Sequence, residues 1–101
     1  MVHEVTKALY ICFVKWSLDA YKKWGTDPEY FNKNWMPKHD ELMKKHGLKL
    51  AYNGTPFGLP EDACMVYEGG SDVDKYKQFR QAVAAIAPGI LDSANTIIVS
   101  L

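Results

Sequence analysis

Apolar residues are concentrated in short segments, and their spacing within each segment predicts a strand or a helix. Segments rich in β-branched and aromatic residues and bounded by turn-forming residues indicate strands. Apolar residues that recur every three or four positions indicate a helix with one buried face. By these rules the predicted strands cover residues 8–16, 48–53, 63–68 and 95–101.

The first helix is predicted from the start signal Asp27-Pro28-Glu29 to Gly47. The aspartate caps the first amide groups, the proline suits the first helical position, and the glycine ends the helix. Between these ends, apolar residues and two histidines recur on one face: Phe31, Trp35, His39, Leu42, Met43 and His46.

Pro37 interrupts this helix, because it cannot donate a hydrogen bond to the carbonyl of Lys33. A straight helix would lose about 3 kcal/mol at this point. We therefore expect a kink, or a short helix that ends near Met36 and a second one that begins there. Since the apolar stripe keeps its phase across the proline, both parts should face the same core.

A second helix is predicted over residues 73–86, which carry an apolar residue at every third or fourth position. Ser71 and Asp74 have the spacing of a capping box, and Pro88-Gly89 ends the helix. The other segments are predicted as connections: residues 17–26 are polar apart from Tyr21 and Trp24, and residues 54–60 are rich in turn-forming residues.

The predicted order is strand, helix, strand, strand, helix, strand. The chain has 101 residues, of which 48% are hydrophobic, which suits one domain over residues 1–101 with one core. This order predicts an α+β, ferredoxin-like fold, a four-stranded antiparallel sheet with both helices on one face.

Both faces of the predicted sheet are apolar at its centre, because successive side chains of a strand point to opposite faces. On the first strand, Leu9, Ile11 and Phe13 oppose Tyr10, Cys12, Val14 and Trp16. A monomer that exposed one of these faces to water would forgo about 1.5–3 kcal/mol for each large side chain. We therefore expect a homodimer in which a second copy of the sheet covers the face away from the helices.

The charge balance argues against two classes of partner. The chain has twelve lysines and arginines and twelve aspartates and glutamates, so its formal net charge is zero. A nucleic acid or an anionic membrane surface is therefore not expected to bind. The sequence has no apolar stretch long enough to cross a bilayer, and residues 1–7 lack the apolar core of a secretory signal. Two cysteines do not form a disulfide framework, so we expect a cytoplasmic protein.

Two other classes of protein have the same order of strands and helices, but this sequence matches their motifs poorly. An RNA-recognition motif needs a basic residue, a glycine and two aromatics on its third strand, whereas residues 62–68 have acids at both ends and one aromatic. A phosphate site of the acylphosphatase type needs an arginine after the first strand, and Arg80 is the one arginine of this chain.

Phe31, Trp35 and His39, each four residues after the last, resemble the EthD-like pattern of the dimeric α/β-barrel superfamily. Residues 62–68, followed by an acidic helix that closes on Phe79, are also similar to that group. The resemblance implies two ferredoxin-like sheets packed face to face. This chain departs from the pattern at Pro37, and its first strand lacks the early histidine of several members, although His3 lies just before it.

The resemblance implies a small-molecule enzyme of the cofactor-independent monooxygenase, isomerase or cyclase type. Its aromatic or polyketide-like substrate would lie in a pocket between the helices and the sheet, with His39 as general acid or base. The alternative is a non-catalytic dimer of the same fold that binds a ligand or serves a stress response. A cavity of at least about 300 Å³ beside His39 would favour the enzyme, and a fully packed space the alternative.

The site is predicted to contain aromatic and polar side chains in addition to His39. Tyrosine hydroxyls could orient a small aromatic ligand, although a half-buried strand also favours tyrosine for its packing. An asparagine at the start of the loop could bind a carbonyl group or simply begin the turn. The predicted catalytic residues are His39 and Tyr67, and the predicted substrate-binding residues are Trp35, Tyr10, Tyr52, Asn53 and Phe31.

No metal or other cofactor is predicted. His39 and His46 share a helix face but are seven residues apart, whereas two histidines on a helix that bind one metal ion are typically four apart. Haem remains an alternative, since one axial histidine suffices, but no Cys-x-x-Cys-His sequence supports it. Cys12 and Cys64 lie among apolar residues, where burial raises the pKa of a thiol and makes it unreactive.

Overall fold

The structure is a computed structural model that describes residues 7–101, so His3 lies outside the described residues. Four strands form one antiparallel sheet in the order β2-β3-β1-β4, which is the predicted ferredoxin-like arrangement. The elements in chain order are β1 Lys7–Trp16, α1 Leu18–Thr26, a π-helix Phe31–Trp35, α2 Met36–Lys45, β2 Lys49–Gly54, β3 Ala63–Gly70, α3 Val73–Ile86 and β4 Leu91–Ser100.

The core lies between the helices and one face of the sheet. Strand β1 pairs with both β3 and β4, and every second residue from Ala8 to Trp16 is buried. The ring of Tyr10 stacks on that of Tyr76 in α3, with 4.1 Å between their centroids. The ring of Trp16 meets that of Trp35 edge-on at 5.7 Å. Both helical segments therefore pack on this face.

Helix α1, Leu18–Thr26, lies in the segment predicted as a polar connection, so that prediction was wrong. Ser17 caps the helix, since its hydroxyl accepts a hydrogen bond from the amide of Ala20 at 3.2 Å. Ala20 is buried and Trp24 packs against the core from the same helix. One small buried residue gives too weak an apolar periodicity to predict a helix. In the described part of the chain, no helix is long and apolar enough to cross a membrane.

Pro37 divides the next helical segment near Met36, as predicted. The residues before it form a π-helix, in which the amide of Met36 donates to the carbonyl of Phe31. Pro37 then lies in the first turn of α2, where a missing amide donor costs little. Trp35 stacks between Phe31, at 4.7 Å, and His39, at 5.0 Å. The wide turn therefore holds these three rings in one stack.

Two predicted helix caps are shifted by a few residues. Asp27 ends α1 and accepts a hydrogen bond from the amide of Glu29 within a turn, instead of starting the next helix. Asp72, one residue after the predicted Ser71, caps α3 by accepting hydrogen bonds from the amides of Asp74 and Lys75. Both corrections arise because aspartate caps a helix and forms a tight turn through the same side-chain oxygens.

The sheet face away from the helices is apolar, as the alternation of residues predicts. On β4, Ile97 is 56% exposed and Val99 is 38% exposed. They pair with Ile11 and Leu9 of β1, which are half-buried on the same face. We call this the outer face of the sheet, and it also carries Phe13, Tyr52, Cys64 and Val66.

Candidate functional site

His39 is completely buried between α2, α3 and the sheet. Its ring stacks on Trp35 and lies 5.8 Å from the ring of Phe79 in α3. Tyr67, also completely buried, approaches from β3 with its ring 5.7 Å from that of His39. The structure therefore brings together both predicted catalytic residues and Trp35.

Hydrogen-bond contacts link a carboxylate, an imidazole and a phenol in a row at His39. The Nε2 atom of His39 is 2.7 Å from the Tyr67 hydroxyl, and its Nδ1 atom is 3.3 Å from Oδ1 of Asp40. The hydroxyl is also 3.1 Å from the sulfur of Met65. Since a thioether is a weak acceptor, we place the hydroxyl proton on the side of Nε2. Nδ1–H then donates to Asp40.

Burial keeps both buried groups of this series uncharged at neutral pH. Burial lowers the pKa of His39, and the neighbouring Asp40 offsets this only in part. Burial also raises the pKa of the Tyr67 phenol far above its ordinary value. The site therefore offers a neutral imidazole and a protonated phenol, one able to accept a proton and the other to donate a hydrogen bond.

Sequence reasoning missed two residues of this site. Asp40 is one of them, and its half-exposed carboxylate links His39 to the protein surface. Arg80 of α3 brings its guanidinium close enough to Tyr67 to favour the ionised phenol, against the larger effect of burial. Arg80 had one available signal, because a lone arginine one residue after the closing Phe79 of an amphipathic helix lies at the edge of its buried face.

The space beside His39 is filled by aromatic side chains. Cavities of about 430, 700 and 210 Å³ open on the described surface, and His39 lines none of them. Trp35, Tyr67 and Phe79 occupy the volume where a pocket between helices and sheet was predicted. A fully packed space beside His39 favours the non-catalytic alternative.

A groove of about 430 Å³ lies on the outer face, on the opposite side of the sheet from His39. Two of the predicted binding residues, Tyr52 and Asn53, line it at the end of β2. Tyr52 is 76% exposed, and the loop that follows adds Phe57, whose side chain is fully exposed. The other side chains of the groove are mainly apolar: Phe13, Pro56, Leu59, Cys64 and Val66.

The remaining predicted binding residues, Tyr10 and Phe31, lie in neither the His39 cluster nor the groove of the outer face. The Tyr10 hydroxyl donates a hydrogen bond to the carbonyl of Gly70 at 2.6 Å, so it holds the end of strand β3. Phe31 packs against the rings of Trp16 and Trp24, each with 4.7 Å between centroids. The predicted set thus separates into the His39 cluster, the outer groove and two packing residues.

Within residues 7–101, no three His, Cys, Asp or Glu side chains come together as metal ligands would. His39, the residue expected to bind haem if haem were bound, has Nε2 engaged by Tyr67. The two cysteines lie on opposite faces of neighbouring strands, since Cys12 pairs with Met65 and Cys64 with Phe13. Burial raises the pKa of the Cys64 thiol, as the sequence predicts for a cysteine among apolar residues.

Solved structures share this fold at low sequence identity. A protein of unknown function from Rhodopseudomonas palustris superposes with a TM-score of 0.59 at 12% identity, over 95% of this chain and 82% of its own. A dimeric ferredoxin-like protein of unknown function from Thermobifida fusca gives 0.50 at 14% identity, over 100% and 96%. A protein from Nitrosomonas europaea, proposed to be an antibiotic biosynthesis monooxygenase, gives 0.52 at 12% identity, over 100% and 95%.

No family model matches the chain, and no curated protein matches it. The likeness to these structures therefore concerns the fold, and it confirms the ferredoxin-like resemblance predicted from the residues.

Proposed function

We propose that this chain functions as a homodimer, joined through the outer faces of two sheets, that binds a small hydrophobic or aromatic ligand in the outer groove. The observation that carries the proposal is the exposed apolar outer face with its groove of about 430 Å³. Its free cysteines, Cys12 and Cys64, suit a reducing cytoplasm.

A second copy is the partner that the outer face fits best. Exposed apolar side chains on β4 continue into those of β1 and β3, so the patch crosses the sheet. Patches of this kind mark interaction surfaces on soluble proteins. A two-fold axis lets one surface cover itself, and the Thermobifida fusca protein of the same fold is described as dimeric.

The groove suits an apolar ligand with one polar group. Its walls are mainly apolar, and a ligand there would gain the hydrophobic contact that pockets of this size supply. The Tyr52 hydroxyl can supply a hydrogen bond at one end. A second sheet packed over the groove would remove the ligand from water.

An NMR titration with naphthol as an aromatic probe tests the location of the site. We expect amide shifts at Tyr52, Cys64 and Val66, because naphthol would lie on the outer face. Phe57→Ser should weaken binding about tenfold, the effect of losing roughly 1.4 kcal/mol of apolar contact. Leu18→Ser, a change at another exposed apolar residue on α1, should leave binding unchanged. Shifts confined to Trp35, His39 and Phe79 would contradict the proposal.

The second candidate function is catalysis at His39, and the series Asp40–His39–Tyr67 favours it. A neutral imidazole backed by a carboxylate is the usual arrangement of a general base. A base of this kind can start an isomerisation or a cyclisation by removing a proton from the carbon beside a carbonyl group. The carbanion that results is also the species that reacts with dioxygen in a cofactor-free monooxygenase. The substrate would have to displace the Tyr67 hydroxyl from Nε2 to reach the base.

Proton exchange of an aromatic ketone tests this second function directly. A tetralone in D₂O should exchange the hydrogens beside its carbonyl about 10²-fold or more faster with the protein present, the usual gain from a general base. His39→Gln should remove the acceleration, and His46→Gln should retain it. Equal exchange rates with the wild-type protein and His39→Gln would exclude His39 as the base.

A further inference from the structure

The strand pairings fix which side chains lie next to each other on the outer face. Three neighbouring rows cross the sheet from β2 to β4, with one residue from each strand. The central row, called the apolar row, consists of Tyr52, Val66, Ile11 and Ile97. On one side of it lies the groove row, which consists of Gly54, Cys64, Phe13 and Asn95. On the other side lies the charged row, which consists of Lys49, Glu68, Leu9 and Val99.

The groove row has small residues on β2 and β3 and a large one on β1. A Cβ atom added to Gly54 would meet nothing within 4 Å, and its neighbour Cys64 is also small. Phe13, next to Cys64 on β1, carries a full aromatic ring. The outer groove lies over the small residues and reaches Phe13. The outer face therefore has a hollow and a large side chain next to each other.

The charges that flank the apolar row lie at the end of the face away from the groove row. Glu68 is 3.9 Å from the ammonium group of Lys7, and it pairs with Lys49 across β2 and β3. The apolar row and the groove row contain no charged residue. Burying a charge against apolar groups is costly. A contact between two outer faces should therefore keep Glu68 away from the groove of the other copy.

Two sheets related by a two-fold axis can pack with the axis along the strands or across them. An axis along the strands keeps each row opposite the same row of the partner, and places β2 opposite β4 and β3 opposite β1. Phe13 of the partner subunit then lies over Cys64, where a large side chain meets the hollow. An axis across the strands at the apolar row exchanges the other two rows. Glu68 of the partner subunit would then lie over Cys64.

Size and charge both favour the axis along the strands. This arrangement places large side chains opposite small ones, and interfaces are packed as closely as protein interiors. It also leaves the charged row at the end of the contact, where a polar rim is usual. The alternative places Leu9 opposite Phe13 of the partner subunit, two large residues, in addition to burying Glu68 at the groove.

We propose that β1 and β4 of a second copy form the roof of the outer groove, so that residues of both chains line the ligand site. This inference rests on the proposed dimer and names the residues that close its site: Phe13, Asn95 and Ile97 of the partner subunit. Ile97 of the partner subunit would cover Tyr52, and these two side chains are 56% and 76% exposed in the single chain. Asn95 of the partner subunit, opposite Gly54, would present its amide to the polar group of the ligand.

Isotope-filtered NOE measurements on mixed dimers of labelled and unlabelled wild-type chains test the arrangement. We expect contacts between the Ile97 methyl groups of one chain and the Tyr52 ring of the other. The Phe13 ring should likewise contact the β-protons of Cys64 across the interface. Contacts that join Tyr52 to Tyr52 and Ile97 to Ile97 would overturn the proposal, because they require the axis across the strands. A dimer that lacks the contact between Ile97 and Tyr52 would also overturn it.

Variants of β4 test whether the partner closes the ligand site. Ile97→Ala should weaken naphthol binding about tenfold, since it removes apolar cover from the groove. Val99→Ala shortens a side chain of the same strand and face but lies in the charged row, so it should leave binding unchanged. If Ile97→Ala separates the dimer, Asn95→Phe, which fills the space over Gly54, should weaken binding while the dimer persists. Wild-type affinity for naphthol in a dimeric Ile97→Ala or Asn95→Phe would overturn the inference.

The failure of this inference differs from the failure of the proposed function. A wild-type chain that sediments as a monomer would remove both. A dimer that binds naphthol on the outer face, but whose filtered NOEs join Tyr52 to Tyr52, would leave the proposed function standing and remove the roof formed by β1 and β4.

Discussion

Burial decides the behaviour of individual residues in this protein more than their chemical type does. Tyr67 and Tyr52 carry the same phenol, yet Tyr67 is completely buried and bonded to His39, whereas Tyr52 is mostly exposed on the outer face. His39 and His46 lie on one helix face, but His46 is half-buried and bonded to the carbonyl of Leu42.

His39 should make the stability of the protein depend on pH. Its pKa is lowered in the folded state, so the unfolded chain binds more protons below about pH 6.5, the ordinary value for histidine. Stability should therefore fall as the pH drops from about 6.5, by up to about 1.4 kcal/mol per unit. Urea unfolding from pH 7.5 to 5 measures this slope. His39→Gln should reduce it, and an unchanged slope in this variant would contradict the assignment.

Tyr67→Phe should destabilise the fold, because it leaves Nε2 of His39 buried without a donor. We expect a loss of about 1–3 kcal/mol in the free energy of unfolding by urea. Tyr30→Phe, which removes a hydroxyl from a half-buried side chain outside this cluster, should change stability by less than about 0.5 kcal/mol. Equal effects would mean that the 2.7 Å contact contributes nothing.

At the scale of elements, the sequence predicts strands and helix faces well and their ends less well. The residues of β1, β3 and α3 have clear periodicity, and the structure places them as predicted. Helix α1 escaped prediction because it buries only Ala20 among its residues. The π-helix before Pro37 could not be predicted in form, because a proline signals a break without specifying whether the chain kinks or widens there.

The end of α2 makes a prediction about glycine. Gly47 has a φ angle of +67°, which side chains with a Cβ atom rarely adopt, so Gly47→Ala should cost about 1–2 kcal/mol. Gly25 lies inside α1 with open space around it, so Gly25→Ala should stabilise by about 0.4–1 kcal/mol. Thermal unfolding of the two variants should therefore shift Tm in opposite directions. A shift in the same direction would contradict the backbone argument.

The site was predictable only in part. The four-residue spacing of Phe31, Trp35 and His39 predicts that they share a face, and the rings do stack. Asp40, one partner of His39, is its neighbour on α2, but Tyr67 comes from β3 and Arg80 from α3. Their meeting with His39 depends on how these elements pack together. Sequence spacing carries no information about that packing, nor about whether it leaves a cavity.

For the whole molecule, the arrangement of apolar surface is the main evidence about function. Helices cover one sheet face, and the outer face keeps Ile97, Val99 and the groove beside Tyr52 exposed. Pairing two outer faces would bury this surface in both copies and enclose the groove. The proposed ligand site therefore depends on the dimer being formed.

Ile97→Glu should separate the proposed dimer, because it would place two carboxylates in the apolar contact between sheets. We expect the dissociation constant to rise at least 10²-fold, corresponding to about 2.7 kcal/mol, within the cost of burying unpaired charge. Leu18→Glu makes the same change at an exposed position of α1 and should leave the assembly intact. Sedimentation equilibrium compares the two. Equal assembly of both variants would exclude the outer face as the contact.

Sedimentation velocity of the wild-type chain at micromolar concentration tests the central claim most directly. If two outer faces pair, the protein sediments as one species of twice the 11.5 kDa mass of a single chain. A single species of 11.5 kDa at that concentration would contradict the account, since the outer face would then be stable in water.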